Sequence, residues 1–215
     1  KYIAQGGDWG SMITKWIAEL FPENCIGVHL NLVIAFPPEG EDSMQGVLQE
    51  EIEGMKNIEK YQATGYGYFA IQSTKPQTLG YGLNDSPVGL AAWIIEKFHG
   101  WTKDDSDKLV VSLDEVLAIV SLYWHTESIT SSARFYYENG PLGFTFNPVS
   151  QPMAGAIFEN EIARPPRVWA EKIYNIVQWN QYPGGHFAAL ELSLIHISEP
   201  TRPERISYAV VWVKK

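Results

Sequence analysis

The sequence predicts an α/β fold built on a parallel sheet, and three observations carry that prediction. Lys1-Tyr2-Ile3-Ala4 reads as the end of a strand and runs at once into Gly6-Gly7-Asp8-Trp9-Gly10-Ser11, a glycine-rich turn. Met12, Ile13, Trp16, Ile17, Leu20 and Phe21 then recur at helical spacing until Pro22 stops them. Ile26, Val28, Leu30 and Leu32 alternate with Gly27, His29 and Asn31, the period of a strand. Strand, turn, helix, strand is a βαβ unit, and a short crossover through a helix makes its two strands parallel.

The pattern changes after Pro37-Pro38. Residues 39–60 carry seven acids, with Met44, Leu48, Ile52 and Met55 spaced as one helical face; such a charge run reads as a solvated helix surface. Ser86-Pro87 reads as an N-cap with proline at the first helical position. The helix behind it buries Leu90, Ile94, Ile95 and Phe98 and ends before Gly100. Ser112 and Glu115 have capping-box spacing, followed by Leu113, Val116, Leu117 and Val120 on one face. The middle hundred residues thus read as a helical, aromatic-rich insertion. The α/β pattern returns with the apolar run Met153 to Phe158. A helix opened by Pro165-Pro166 through Trp169, a strand over Ile173 to Trp179, and a loop at Gly184-Gly185-His186 follow.

Composition excludes several classes of function. The chain has 215 residues, 16 Lys+Arg against 25 Asp+Glu and a net charge of −9. With no dense basic stripe, that argues against a nucleic-acid or anionic-membrane partner. The single cysteine, Cys25, excludes an intramolecular disulfide and a cysteine zinc site, and suits a reducing compartment. No apolar run is long enough to span a bilayer. Aromatics at 13% are expected first in the core and second around an apolar pocket.

The strongest local feature is Gly6-Gly7-Asp8-Trp9-Gly10. A small–x–nucleophile–x–small turn between strand and helix is a nucleophile elbow, in which small residues let the backbone push the central side chain into the open. Here that residue is Asp. The same residues also suit a plain glycine-rich turn with Asp8 as helix N-cap. Gly184-Gly185-His186 lies late in the chain, so the order nucleophile, acid, histidine is kept, the order of α/β-hydrolase triads. His29 alternates with core residues and reads as structural, His99 suits a helix C-terminus, His125 has no evident partner, and His196 lies in the divergent tail. No paired-ligand spacing occurs, so no metal is expected.

Taken together, these residues resemble a known family. The chain is similar, from about Tyr2 to Glu191, to the microsomal and juvenile-hormone branch of the epoxide hydrolases, within the α/β-hydrolase fold. The resemblance is carried by Gly6-Gly7-Asp8-Trp9-Gly10-Ser11, Val28-His29-Leu30-Asn31, Ile71-Gln72-Ser73-Thr74-Lys75-Pro76 and Asp85-Ser86-Pro87-Val88-Gly89-Leu90-Ala91-Ala92. Leu122-Tyr123-Trp124, Arg134-Phe135-Tyr136 and Gly184-Gly185-His186-Phe187-Ala188-Ala189 extend it. It implies a partial α/β-hydrolase core, from the nucleophile elbow onward, with a helical cap insertion. The core occupies 1–38 and 146–192, the cap 39–145, and an unrelated tail 193–215.

Position by position, the resemblance implies Asp8 as nucleophile and His186 as the base that activates water. Glu161 falls at the supporting acid, with Glu159 close enough to compete. Tyr68 and Tyr136 fall at the two cap tyrosines that hold the epoxide oxygen, with Tyr66 and Tyr137 as neighbouring choices. The Trp9 backbone N–H falls at one donor of the oxyanion hole. The implied reaction is hydrolysis of a small apolar epoxide by water to a vicinal diol, through an ester on Asp8 and without a cofactor. A haloalkane dehalogenase, which also pairs Asp with Trp, is the enzymatic alternative.

The sequence also departs from that pattern. The family places an N-terminal region before the nucleophile, including the loop that supplies the second oxyanion donor, whereas here the nucleophile position is 8. After Glu191 the match stops, and Ser193-Leu194-Ile195-His196 onward reads as a frameshift or assembly junction, or as a divergent terminus, with a strand over Ile206 to Val213. A catalytically inactive fragment is therefore a further expectation. A soluble, cytoplasmic parent is favoured over a membrane-anchored one.

Overall fold

The computed structural model describes residues 1–39, 42–102, 109–140 and 147–191; the tail over 193–215 and its expected strand lie outside the described residues. Strands β1 (Tyr2–Gly6), β2 (Cys25–Leu30), β3 (Val149–Asn160) and β4 (Tyr174–Gly185) form one sheet in the order β1-β2-β3-β4. All three pairings are parallel. Each therefore needs a crossover. Helix α1 (Trp9–Leu20) supplies the first and the short α8 (Arg167–Ala170) the last. The middle crossover holds α2 (Gln49–Lys60), a π-helical turn (Tyr61–Gly65), α3 (Gly67–Thr74), α4 (Pro76–Asp85), α5 (Pro87–Gly100), α6 (Leu113–Thr126) and α7 (Ile129–Asn139).

The sheet core follows from the alternation in β2 and β3. Val28, Leu30, Met153 and Ile157 meet Ala18 of α1 and Ala170, Ile173 and Tyr174 beside α8. Each large side chain removed from water this way contributes about 1.5–3 kcal/mol. A second cluster, Leu83, Leu90, Val120 and Ile129, holds α4 to α7 together. A third packs Phe98, Val111 and Val116 against Phe187 and Leu190, the residues just after the β4 terminus. Phe98 stacks on Phe187 with centroids 4.2 Å apart, so α5 is tied to the segment carrying His186.

Several boundaries differ from the sequence reading. The acidic helix begins at Gln49, so Met44 and Leu48 precede it and are exposed. Its start is set by the Glu51 carboxylate, which accepts from the Leu48 N–H (2.9 Å) and from the Arg167 N–H (2.8 Å). Helix α5 runs through Gly100 rather than stopping before it. Ser86 caps it as expected, its Oγ accepting from the Gly89 N–H (3.1 Å). At α6 only half a capping box forms. Ser112 Oγ accepts from the Glu115 N–H (3.3 Å), but the Glu115 carboxylate takes the Ser112 hydroxyl (2.6 Å) instead of a backbone amide. Strand β3 extends on both sides of its apolar run, and β4 continues through Gly184 and Gly185, which are strand rather than loop.

Candidate active site

Three strands end where the chemistry-bearing residues begin. Asp8 follows β1, Glu161 follows β3 and His186 follows β4. In a parallel sheet these termini share one edge, the edge at which open α/β folds bind ligands.

The turn after β1 is strained. Asp8 adopts φ 50°, ψ −132°, in the region where side chains cost on the order of 1–3 kcal/mol. Its carboxylate makes no cap bond to α1, which separates it from an ordinary N-cap. The strain is held by bonds around Gly6, whose carbonyl accepts from Ser11 Oγ and the Asn31 N–H, each at 3.0 Å. Gly6 itself is forced by space, since a Cβ there would strike the Gly10 carbonyl and lie 2.6 Å from Thr14 Oγ1. Gly10 has open space where its Cβ would be, so the motif's last glycine is not required by packing.

Asp8 Oδ2 lies 3.6 Å from His186 Nε2, and His186 Nδ1 lies 2.7 Å from Glu161 Oε1. The imidazole is buried while the Asp8 side chain is 53% exposed, so the relay runs from the interior to an open carboxylate. Glu161 Oε1 also accepts from the Ile162 N–H (2.7 Å). Asn57 Nδ2 donates to the carbonyls of Glu159 and Glu161, at 3.2 and 3.0 Å, and ties the acid turn to α2. Glu159 is exposed; the carboxylate on His186 is that of Glu161.

His186 is fixed by its backbone as well. Its N–H donates to the Trp101 carbonyl (2.8 Å), and the Trp101 ring meets the imidazole edge-on. Gly185 must be glycine for this approach, because a Cβ would strike the Trp101 carbonyl and lie 2.9 Å from Thr102 Cα. The Gly185 N–H donates to both oxygens of the buried Glu191 carboxylate (3.1 Å each). Asn57, Trp101 and Glu191 escaped the sequence reading because none carries a local motif; each acts by long-range contact.

A cavity of about 310 Å³ opens over Asp8, with Trp9, Met12, Leu32, Phe36 and Ile58 among its walls. Tyr68 from α3 and Tyr136 from α7 face it, their rings edge-on with centroids 5.8 Å apart. Tyr66 also reaches the cavity but is 41% exposed; Tyr137 is not among the lining residues. Helix α7 is seated by contact with α4, where Gly80 makes room for Thr130 and Asn84 Nδ2 donates to its hydroxyl (3.1 Å). Burial pushes both phenols above the usual tyrosine range; Tyr136 raises Tyr68 further, and the Asp8 charge raises Tyr136 further. Both therefore stay protonated donors at working pH.

Burial alone would lower the His186 imidazolium, but Glu161 and Asp8 outweigh it and raise its pKa to about 10. A pKa raised above the unfolded value of about 6.5 stabilises the fold fully below that value and ceases to do so as pH rises through the folded pKa. Melting temperature is therefore expected to fall between pH 7 and 10. Circular dichroism melts of His186→Gln should lack that component. Parallel curves for the two proteins would show that the resting imidazole carries no such charge. His29, by contrast, is shifted down by burial and sits neutral in β2.

Comparison with known proteins yields no matching family model. Individual proteins do match. Epoxide hydrolase 1 of Sus scrofa is 38% identical over 217 residues, covering 89% of this chain and 48% of that protein. Over the length they share, the chain is similar to epoxide hydrolases and has their α/β-hydrolase fold. Two solved epoxide hydrolases share that fold. The Aspergillus niger enzyme superposes with a TM-score of 0.79 at 33% identity, over 93% of this chain and 51% of its own. The juvenile hormone epoxide hydrolase of the silkworm Bombyx mori gives 0.80 at 31%, over 93% and 53%. The chain thus spans about half the length of the relatives it matches. Among the described residues no helix is long and apolar enough to cross a membrane, and no group of three His, Cys, Asp or Glu is placed to hold a metal.

Proposed function

We propose that this site hydrolyses small apolar epoxides to vicinal diols through an ester on Asp8, beneath a cap formed by the helices between β2 and β3. One observation carries the reading. A strained, outward-facing aspartate lies across one apolar cavity from two neutral phenols, and its other side meets a histidine–carboxylate pair.

An ionised carboxylate attacks an epoxide carbon without first losing a proton. As that C–O bond breaks, the ring oxygen gains charge and takes a proton from a phenol, Tyr68 or Tyr136, while the other holds it by hydrogen bond. The product is a hydroxyalkyl ester. Esterification removes the Asp8 anion, one of the two charges that hold the His186 proton, so the imidazolium gives that proton up to water and becomes a base at this step. It then takes a proton from water, the hydroxide adds to the ester carbonyl, and the Trp9 N–H in the first turn of α1 donates to the oxyanion. Collapse releases the diol and restores the Asp8 carboxylate. A dehalogenase needs donors for a halide, not a proton for an alkoxide. Two protonated phenols facing the aspartate favour the epoxide.

Intact-mass measurement of His186→Gln after exposure to styrene oxide is expected to show one adduct, located on Asp8. Asp8→Asn in the same background should show none. A His186→Gln chain that stays unmodified would sink the two-step reading and leave the relay assembled but idle.

A further inference from the structure

A third tyrosine stands behind the two that face Asp8. Tyr61 Oη donates to Tyr68 Oη at 3.1 Å, both groups partly buried. In an unbroken α-helix a residue seven positions on lies about 10 Å further along the axis. Here the chain between them is the π-helical turn Tyr61–Gly65, a rare form found often at functional sites. Gly65 lets the Tyr61 ring lie close, since a Cβ there would sit 3.0 Å from Tyr61 Cδ2.

Tyr61 also stands between two cavities. It lines the apolar one over Asp8 and a second, polar one of about 310 Å³. The polar cavity is walled by Asn57, Thr64, Glu96, His99, Thr102 and by Glu161, the partner of His186. A site this roomy and polar suits bound water.

We propose that Tyr61 is the positioning residue of the oxygen-holding pair: by donating to Tyr68 it leaves the Tyr68 proton aimed at the epoxide oxygen, and it returns that proton from water in the polar cavity. The inference rests on the proposed epoxide chemistry. Its proton balance closes. Ring opening moves one proton from Tyr68 to the ring oxygen, and Tyr61 passes its own to Tyr68. On esterification the His186 imidazolium, beside Glu161, yields its proton, which water in the polar cavity carries to the Tyr61 oxygen, and hydrolysis then gives His186 one proton from the attacking water. No proton is gained or lost over the cycle. Because a hydroxyl that accepts a bond becomes a better donor, the pair also polarises the epoxide more than Tyr68 alone. Burial, the largest influence, holds the Tyr61 phenol above its ordinary range, so it is protonated at the start of the cycle.

The test measures single-turnover ester formation on Asp8 from styrene oxide, by intact mass. It compares His186→Gln with the same chain carrying Tyr61→Phe, which keeps the ring and its packing. Ester formation is expected to slow about 10-fold, with the half-saturating styrene oxide concentration unchanged. Equal rates, or a raised half-saturating concentration at unchanged rate, would overturn this inference alone, because Tyr61 would then only pack. No adduct with Tyr61 intact would overturn the epoxide reading and this inference with it.

Discussion

Gly6→Ala is expected to lower the melting temperature by roughly 6–12 °C, whereas Gly10→Ala, in the same motif, should leave it unchanged or raise it slightly. A methyl on Gly6 would be driven into the Gly10 carbonyl and toward Thr14 Oγ1, backbone and first turns of α1 that cannot move without parting helix from strand. Overpacking of this kind costs about 3 kcal/mol at the upper end of its usual range, and for a chain of this length each kcal/mol is worth about 2–4 °C. Gly10 lies inside α1 with nothing within 4 Å of the added carbon. Alanine there is favoured over glycine by up to about 1 kcal/mol. Circular dichroism melts of the two variants decide the matter. Similar curves for both would mean that α1 does not cross β1 as closely as described.

Glu161→Gln is expected to cut steady-state diol formation about 10³-fold or more, while ester formation on Asp8 proceeds at a much smaller loss. The carboxylate holds Nδ1 of His186 at 2.7 Å and, in the proposed hydrolysis, stabilises the proton that the imidazole gains from water. A glutamine keeps the shape and removes the charge; where its amide nitrogen turns toward Nδ1, the wrong tautomer results and Nε2 can no longer accept. Losses of about 10⁴ accompany that defect in related relays. The first half-reaction needs only the Asp8 carboxylate and the phenols, so ester should accumulate and be visible by mass. Glu159→Gln is the control, since that side chain is exposed, and it should turn over within about twofold of the parent. Equal losses from both variants would remove Glu161 from the relay.

Local features were legible where a residue does its work next to its neighbours in sequence. The helical period of α1 and the Ser86 cap rest on contacts within a few positions. Boundaries that depend on distant partners were misplaced. Helix α2 starts at Gln49 because Glu51 is held by Arg167, more than a hundred residues away. Strand β4 reaches Gly185 because β3 pairs with it that far, Asn160 opposite Gly185.

The sequence by itself determined the parallel α/β class and the glycine-rich turn at Asp8, while its resemblance to the epoxide hydrolases pointed to Asp8, Glu161, His186, Tyr68 and Tyr136 and left Glu159, Tyr66 and Tyr137 open. Only the tertiary structure decided which of them meet. It put Glu161 rather than Glu159 on His186, showed that Gly6 and not Gly10 is the crowded glycine, and brought Tyr61 behind Tyr68. The reason is geometric. Residue type and local period set backbone conformation, but three strand ends and two helices converge on one cavity, and that convergence is a property of the packed sheet edge, not of any single segment.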